Sequence, residues 1–152
     1  RWDGYILNKY PIETETAFQS TDYPLARWAD VLLMYAEADV RLNKTVSTSA
    51  IDCVNQVRHR AGLADLPAEK TTSVNAFLDA LLEERGHEFY YEGHRRIDLI
   101  RFNKYWTIMD AIGCTPTSQY FPIPNYAVDQ AADMGYTLTQ YFTRPDYDGP
   151  QR

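Results

Sequence analysis

The stretch Leu25–Leu42, LARWADVLLMYAEADVRL, sets Trp28, Leu32, Tyr35, Ala36 and Val40 at three- and four-residue spacing. On a helix of 3.6 residues per turn that recurrence draws one apolar stripe. It predicts a helix over these residues, with Trp28 and Tyr35 facing the core. Tyr23-Pro24 sets up the start of the helix and Asn43 can terminate it. Ser49, followed three residues later by Asp52, reads as a capping-box start for a second helix, which runs to about Ala61 with Gly62 as its stop. Two antiparallel helices on a short connection follow from this.

Beyond the Leu66-Pro67 loop, Thr72 or Ser73 can cap a third helix. It carries Phe77, Leu78, Leu81, Leu82, Phe89 and Tyr90 and ends near Gly93. A fourth, shorter helix is expected from about Arg95 to Asn103, which gives a helical core over about 25–103. The two pairs start about 46 residues apart, longer than the tetratricopeptide period of about 34, and each pair would bury its face against its neighbour. Upstream, WDGYILNKYPI (Trp2–Ile12) reads as one or two short extended segments. Downstream, over about 104–142, Pro116, Pro122 and Pro124 with interleaved tyrosines predict a long ordered loop region wrapping back over the helices. A solvated tail would have no need of Tyr120, Phe121, Tyr126, Tyr136 and Tyr141. After about Phe142 the chain is polar enough to fray. The expected class is mainly α: tetratricopeptide-like helix pairs carrying long aromatic-rich ordered loops and short strands.

With 152 residues and 45% apolar composition the chain is the size of one ordinary domain. A net charge of −6 and the lack of any Lys/Arg run argue against nucleic-acid binding by phosphate neutralisation. Two cysteines, Cys53 in a helical pattern and Cys114 in a loop, have neither C-x-x-C nor Cys/His spacing, so they specify neither a metal cluster nor a disulfide. A buried thiol is the reading for Cys53. There is no initiating Met, signal peptide or membrane-length apolar run. Arg1–Tyr10 already reads like the inside of a structured element, so the chain is expected to be a piece of a longer protein whose N-terminal part is absent.

The chemically dense stretch is ERGHEFYYEGHRR, Glu84–Arg96. His87-Glu88 begins the H-E-x-x-H pattern of zinc proteases, but position 91 is Tyr, and Gly93 is expected to end the helix before His94 comes into register. Glu84, Glu88 and Glu92 are spaced four apart and so share one stripe. The acid and nucleophile of a glycosidase must instead face each other across the scissile bond. The alternative is an ion-pair lattice, with Arg85 reaching Glu88, Glu92 reaching Arg95 or Arg96, and Asp98 reaching Arg95 and Arg101. A lattice of that kind leaves no group poised for proton transfer. No catalytic residue, metal or cofactor is assigned.

Four segments together resemble the C-terminal region of the SusD/RagB family of outer-membrane nutrient-binding lipoproteins. They are RWADVLLMYAEA (27–38), NQVRHRAG (55–62), ERGHEFYYEGHRRIDLIR (84–101) and FPIP (121–124). The resemblance implies an all-α core of tetratricopeptide-like pairs and a non-catalytic role. Members of the family sit on the cell surface, anchored through a lipidated cysteine that this sequence lacks. They capture oligosaccharides or other nutrients and cap a TonB-dependent, SusC-like transporter. Glu84, Arg85, Glu92, Gly93, Arg95, Asp98 and Arg101 match signature positions that would lock the third and fourth helices together. The resemblance requires neither His87 nor His94.

Sugar sites place an aromatic ring against the apolar face of a pyranose, with polar groups alongside. Trp106 with Tyr105, and Trp2 with Tyr5, are the candidate rings, although rings of this kind are more often core or interface aromatics. Helix pairs alone equally permit a scaffold that binds a protein or peptide. A hydrolase using His87, Glu88 and Glu92 is the third reading.

Overall fold

The computed structural model describes residues 9–10, 23–114, 116 and 118–138. Six α-helices follow one another: α1 (Trp28–Asn43), α2 (Thr48–Arg60), α3 (Val74–Glu88), α4 (Arg95–Arg101), α5 (Tyr105–Ala111) and α6 (Asn125–Asp133). A 3-10 turn, Ala68–Thr71, precedes α3. Among the described residues no strand forms. The extended segments expected over Trp2–Ile12 lie almost wholly outside the described residues. The chain divides into two compact units, one through Glu92 and one from Gly93.

In the first unit α1 packs on α2, and α3 packs against both. Val74 lies about 46 residues beyond Trp28, so the long repeat spacing read from the sequence is the spacing of the helices. The second helix begins at a different cap from the one expected. The side chain of Ser47, not Ser49, accepts the Ala50 amide at 3.0 Å. Ser49 lies inside the first turn, where its hydroxyl cannot reach an orphan amide of that helix start. Ser47→Ala is therefore expected to cost about 1 kcal/mol and Ser49→Ala close to nothing. Urea melts of the two variants, compared with the parent, check this. Ser73 caps α3 in the same way, accepting from Ala76 at 3.2 Å. Lys44, in the left-handed region at φ 56°, closes α1 in place of Asn43, and its amide donates to the Val40 carbonyl at 3.0 Å. Gly62, at φ 78°, ends the turn after α2, as its freedom from a Cβ permits.

The core of this unit is Leu33, Ala36, Val40, Ala50, Val54, Phe77 and Leu81, each fully buried. Trp28 and Tyr35 do not belong to it, being 69% and 50% exposed. The reason lies in the sequence itself. Val31 to Ala36 is apolar without a break, so periodicity alone allows several rotations of α1. Asp30 and Glu37 are buried, and Asp30 receives a hydrogen bond from the buried Arg85 at 2.9 Å. Turning Asp30 inward selects the face Ala29, Leu33, Ala36 and Val40 and leaves the two large rings at the margin.

In the second unit Asp98, Leu99, Phe102 and Tyr105 are buried. Asn103, at φ 57°, makes the turn from α4 to α5, and the Lys104 amide closes it on the Leu99 carbonyl at 2.8 Å. Helices α5 and α6 occupy the stretch expected to be loop. Tyr105–Ala111 contains no Gly or Pro to break a helix and packs on α4, and Pro124 ends the extended FPIP segment where α6 begins. The rings expected to staple this region down are open: Phe121 is 82% exposed, Tyr126 68% and Tyr136 69%. Tyr141 lies outside the described residues. Arg96 holds the segment before α6, donating to the Gln119 carbonyl at 2.7 Å with its guanidinium 4.0 Å from the centre of the Phe121 ring.

Candidate functional site

Helix α3 carries Glu84, Arg85 and Glu88 on its buried side. The partners of these three lie on the other helices of the unit. Glu84 accepts from Arg58 of α2 at 2.7 Å, and Arg85 donates to Asp30 of α1 at 2.9 Å. Glu88 is shared between Arg60, at the end of α2, and Arg27, at the start of α1. Glu92, 3% exposed, takes two hydrogen bonds of 2.9 Å from Arg27, forming a fork, and pairs with Lys9. The lattice read from the sequence was local, with Arg85 reaching Glu88 and Glu92 reaching Arg95 or Arg96. The observed ion pairs of Glu84, Arg85, Glu88 and Glu92 span 26 residues or more, because side chains at a helix–helix seam meet across it. These residues fasten α3 onto α1 and α2.

The electrostatics of the cluster follow from this geometry. Burial alone would raise the pKa of Glu92, but hydrogen bonds from Arg27 and Lys9 outweigh it and hold the carboxyl below the usual glutamate range. A depressed folded-state pKa stabilises the fold above the unfolded value and loses that contribution as pH falls through the folded value. Acid melts of the chain should therefore show stability falling as pH drops below about 4.3, the ordinary glutamate pKa. Glu92→Gln should show a shallower loss over that window, and an unchanged slope would remove Glu92 from the account. The buried Tyr10 hydroxyl has no hydrogen-bond partner among the described residues; burial pushes its pKa up, and Glu92 and Tyr23 add to the shift.

In the second unit Arg101 donates to Asp98 at 3.1 Å, a local pair of the expected lattice. Asp98 is 3% exposed while the Arg101 side chain is 41% exposed. Asp98→Ala thus removes a buried carboxylate from a cation that water can still reach, and the expected loss is about 1 to 3 kcal/mol. Thermal melts measure it. Gly93 takes φ 78°, and Arg95 opens α4.

His87 is exposed on α3, and His94 occupies the position before the first turn of α4. Among the described residues no group of three or more His, Cys, Asp or Glu side chains is placed to hold a metal ion. Both cysteines are free; Cys53 is half-buried, and burial, with Asp52 and Asp39 adding, raises the pKa of its thiol. No helix among the described residues is long and apolar enough to cross a membrane.

Of the candidate stacking rings, Trp2 and Tyr5 lie outside the described residues. Tyr105 is a core ring, 6% exposed, with the half-buried Trp106 edge-on at 5.2 Å and an interplanar angle of 73°. Its face is taken up by packing, so Tyr105 is not an open platform. Trp28, one of several exposed rings, borders a cleft of about 390 Å³ between α1 and α2. Ala29, Leu32 and Val57 give the cleft an apolar lining, and Gln56 and Arg60, one turn apart on α2, supply exposed polar groups. Sequence reasoning missed this site because it placed Trp28 in the core. The only prior signal was a Gln and an Arg four residues apart within NQVRHR.

Three packed helices, fastened by buried Arg–carboxylate pairs and bearing a cleft edged by Trp28, define an α-helical protein of the helix-pair class. The sequence profile of the SusD family matches residues 1–148, and the chain belongs to that family. It is 34% identical over 144 residues to the starch-binding protein SusD of Bacteroides thetaiotaomicron, covering 88% of this chain and 24% of that protein. A SusD-like protein of Formosa agariphila is 32% identical over 128 residues, covering 80% of this chain and 25% of the relative. The solved structure of a SusD homolog from B. thetaiotaomicron superposes with a TM-score of 0.63 at 28% identity, over 76% of this chain and 26% of that one. The chain thus spans about a quarter of the length of the relatives it matches.

Proposed function

We propose that the protein is a non-catalytic nutrient-binding component of a bacterial surface import system, taking an oligosaccharide as ligand. The family match over residues 1–148, with a starch-binding protein among the relatives, carries this reading. The site chemistry accords with it. The carboxylates a hydrolase would need, Glu88 and Glu92, are each held by two cations in structural pairs, and a general acid or base must have its proton free to move. In this reading the protein is lipid-anchored at the outer membrane and delivers its ligand to a SusC-like, TonB-dependent transporter.

The test is calorimetric titration of the complete gene product against a panel of neutral and acidic oligosaccharides, with co-purification of the barrel alongside. Saturable binding to at least one glycan without turnover supports the proposal. Hydrolysis of the glycan, or binding to a peptide partner and to no glycan, would overturn it in favour of the enzyme or the scaffold.

A further inference from the structure

We propose that the outer face of α1 is a buried seam in the complete gene product, covered by a helix that precedes residue 1 in the same polypeptide. From Trp28 to Ala38 the exposed residues are Trp28, Val31, Met34, Tyr35 and Ala38, all apolar or aromatic. The acids of that stretch, Asp30 and Glu37, are buried. A helix bordering water has the opposite arrangement.

The helix carries two apolar stripes. Ala29, Leu33, Ala36 and Val40, at three- and four-residue spacing, belong to the core that α1 shares with α2 and α3. Trp28, Val31, Tyr35, Ala38 and Leu42 recur at the same spacing and are exposed. That row is the ridge a second helix meets when it packs along the first. A helix with apolar residues on both sides is an interior helix. The cleft beside Trp28, floored by Ala29, Leu32 and Val57, offers the arriving helix a socket for a large side chain.

Position in the chain selects the occupant. Helix pairs stack in chain order, each against its neighbours, and an end pair needs a polar outer face. Helices α2 and α3 follow α1 and already pack on it, so the open side belongs to what comes before. The two pairs begin at Trp28 and Val74. Counted back from Trp28 by that same spacing, a first helix as long as α1 ends before residue 1. The relatives leave room for it, since this chain covers 24% and 25% of two of them. A second copy of the chain is the rival occupant, but a segment of the same polypeptide competes at an effective concentration of about millimolar. The expected cover is an amphipathic helix whose apolar stripe matches that of α1, with an acceptor for the Tyr35 hydroxyl.

The complete gene product with Tyr35 replaced by p-benzoylphenylalanine tests this. Irradiation is expected to give a monomer cross-linked from position 35 to a peptide upstream of residue 1, located by mass spectrometry. A cross-link to a second copy, a cross-link within residues 1–152, or no cross-link overturns the proposal. Val31→Cys reads the same face with a small side chain, so a folding failure of the first variant leaves the test intact. Maleimide labelling at position 31 in the native gene product should be at least about tenfold slower than in urea, and equal rates overturn the seam.

No glycan enters either measurement. Failure of the seam leaves the proposed function standing, and failure of glycan binding leaves the seam standing.

Discussion

Arg85→Ala is expected to destabilise the chain by about 3 to 5 kcal/mol, among the largest losses available to a single substitution in it. The Arg85 side chain is 4% exposed and its partner Asp30 13%, so removing the guanidinium leaves a carboxylate that water can scarcely reach. Arg85 also lies 4.9 Å from the centre of the Phe89 ring, a contact that alanine cannot replace. For a chain of this length the loss corresponds to a fall in melting temperature of about 6 to 20 °C. The control is Lys70→Ala, whose pair with Glu83 spans 3.6 Å between exposed side chains and is worth under about 1 kcal/mol. Pairing Arg85→Met with Asp30→Leu should recover most of the loss, because an apolar pair of similar volume strands no charge. If Arg85→Ala melts with the control, the pair is solvated and the rotation of α1 has another cause.

Phe77→Ala is expected to cost about as much, 3 to 5 kcal/mol, by a different route. Phe77 is 0% exposed and is the largest fully buried side chain among the described residues, so alanine leaves a cavity that surrounding helices can only partly close. Phe77→Leu should cost markedly less, since it keeps much of the volume and strands no polar group. Urea melts of the two Phe77 variants beside the parent read this out. A Phe77→Ala penalty below about 1 kcal/mol would mean that α3 is not seated on α1 and α2 as described.

The sequence by itself determined the positions of the first four helices, the 46-residue spacing of the pairs and the family, because each rests on local information. Apolar recurrence, Ser73 as a cap and Gly62 as a stop are properties of a few neighbouring residues, whereas α3 ends at Glu88, before the expected stop at Gly93. It also offered pairing as a reading of the charges around Glu84, Arg85, Glu92 and Asp98, which are dense on a short stretch. Only the tertiary structure decided with what. Within a single sequence the available partners are those three or four residues away, whereas Glu84, Arg85 and Glu92 find Arg58, Asp30 and Arg27 on other helices. The same contacts decided the rotation of α1. Over the unbroken apolar run from Val31 to Ala36 hydrophobicity is nearly indifferent to which face turns inward. One carboxylate at Asp30, meeting a buried guanidinium, settles it, and Trp28 is left open on the surface as a consequence.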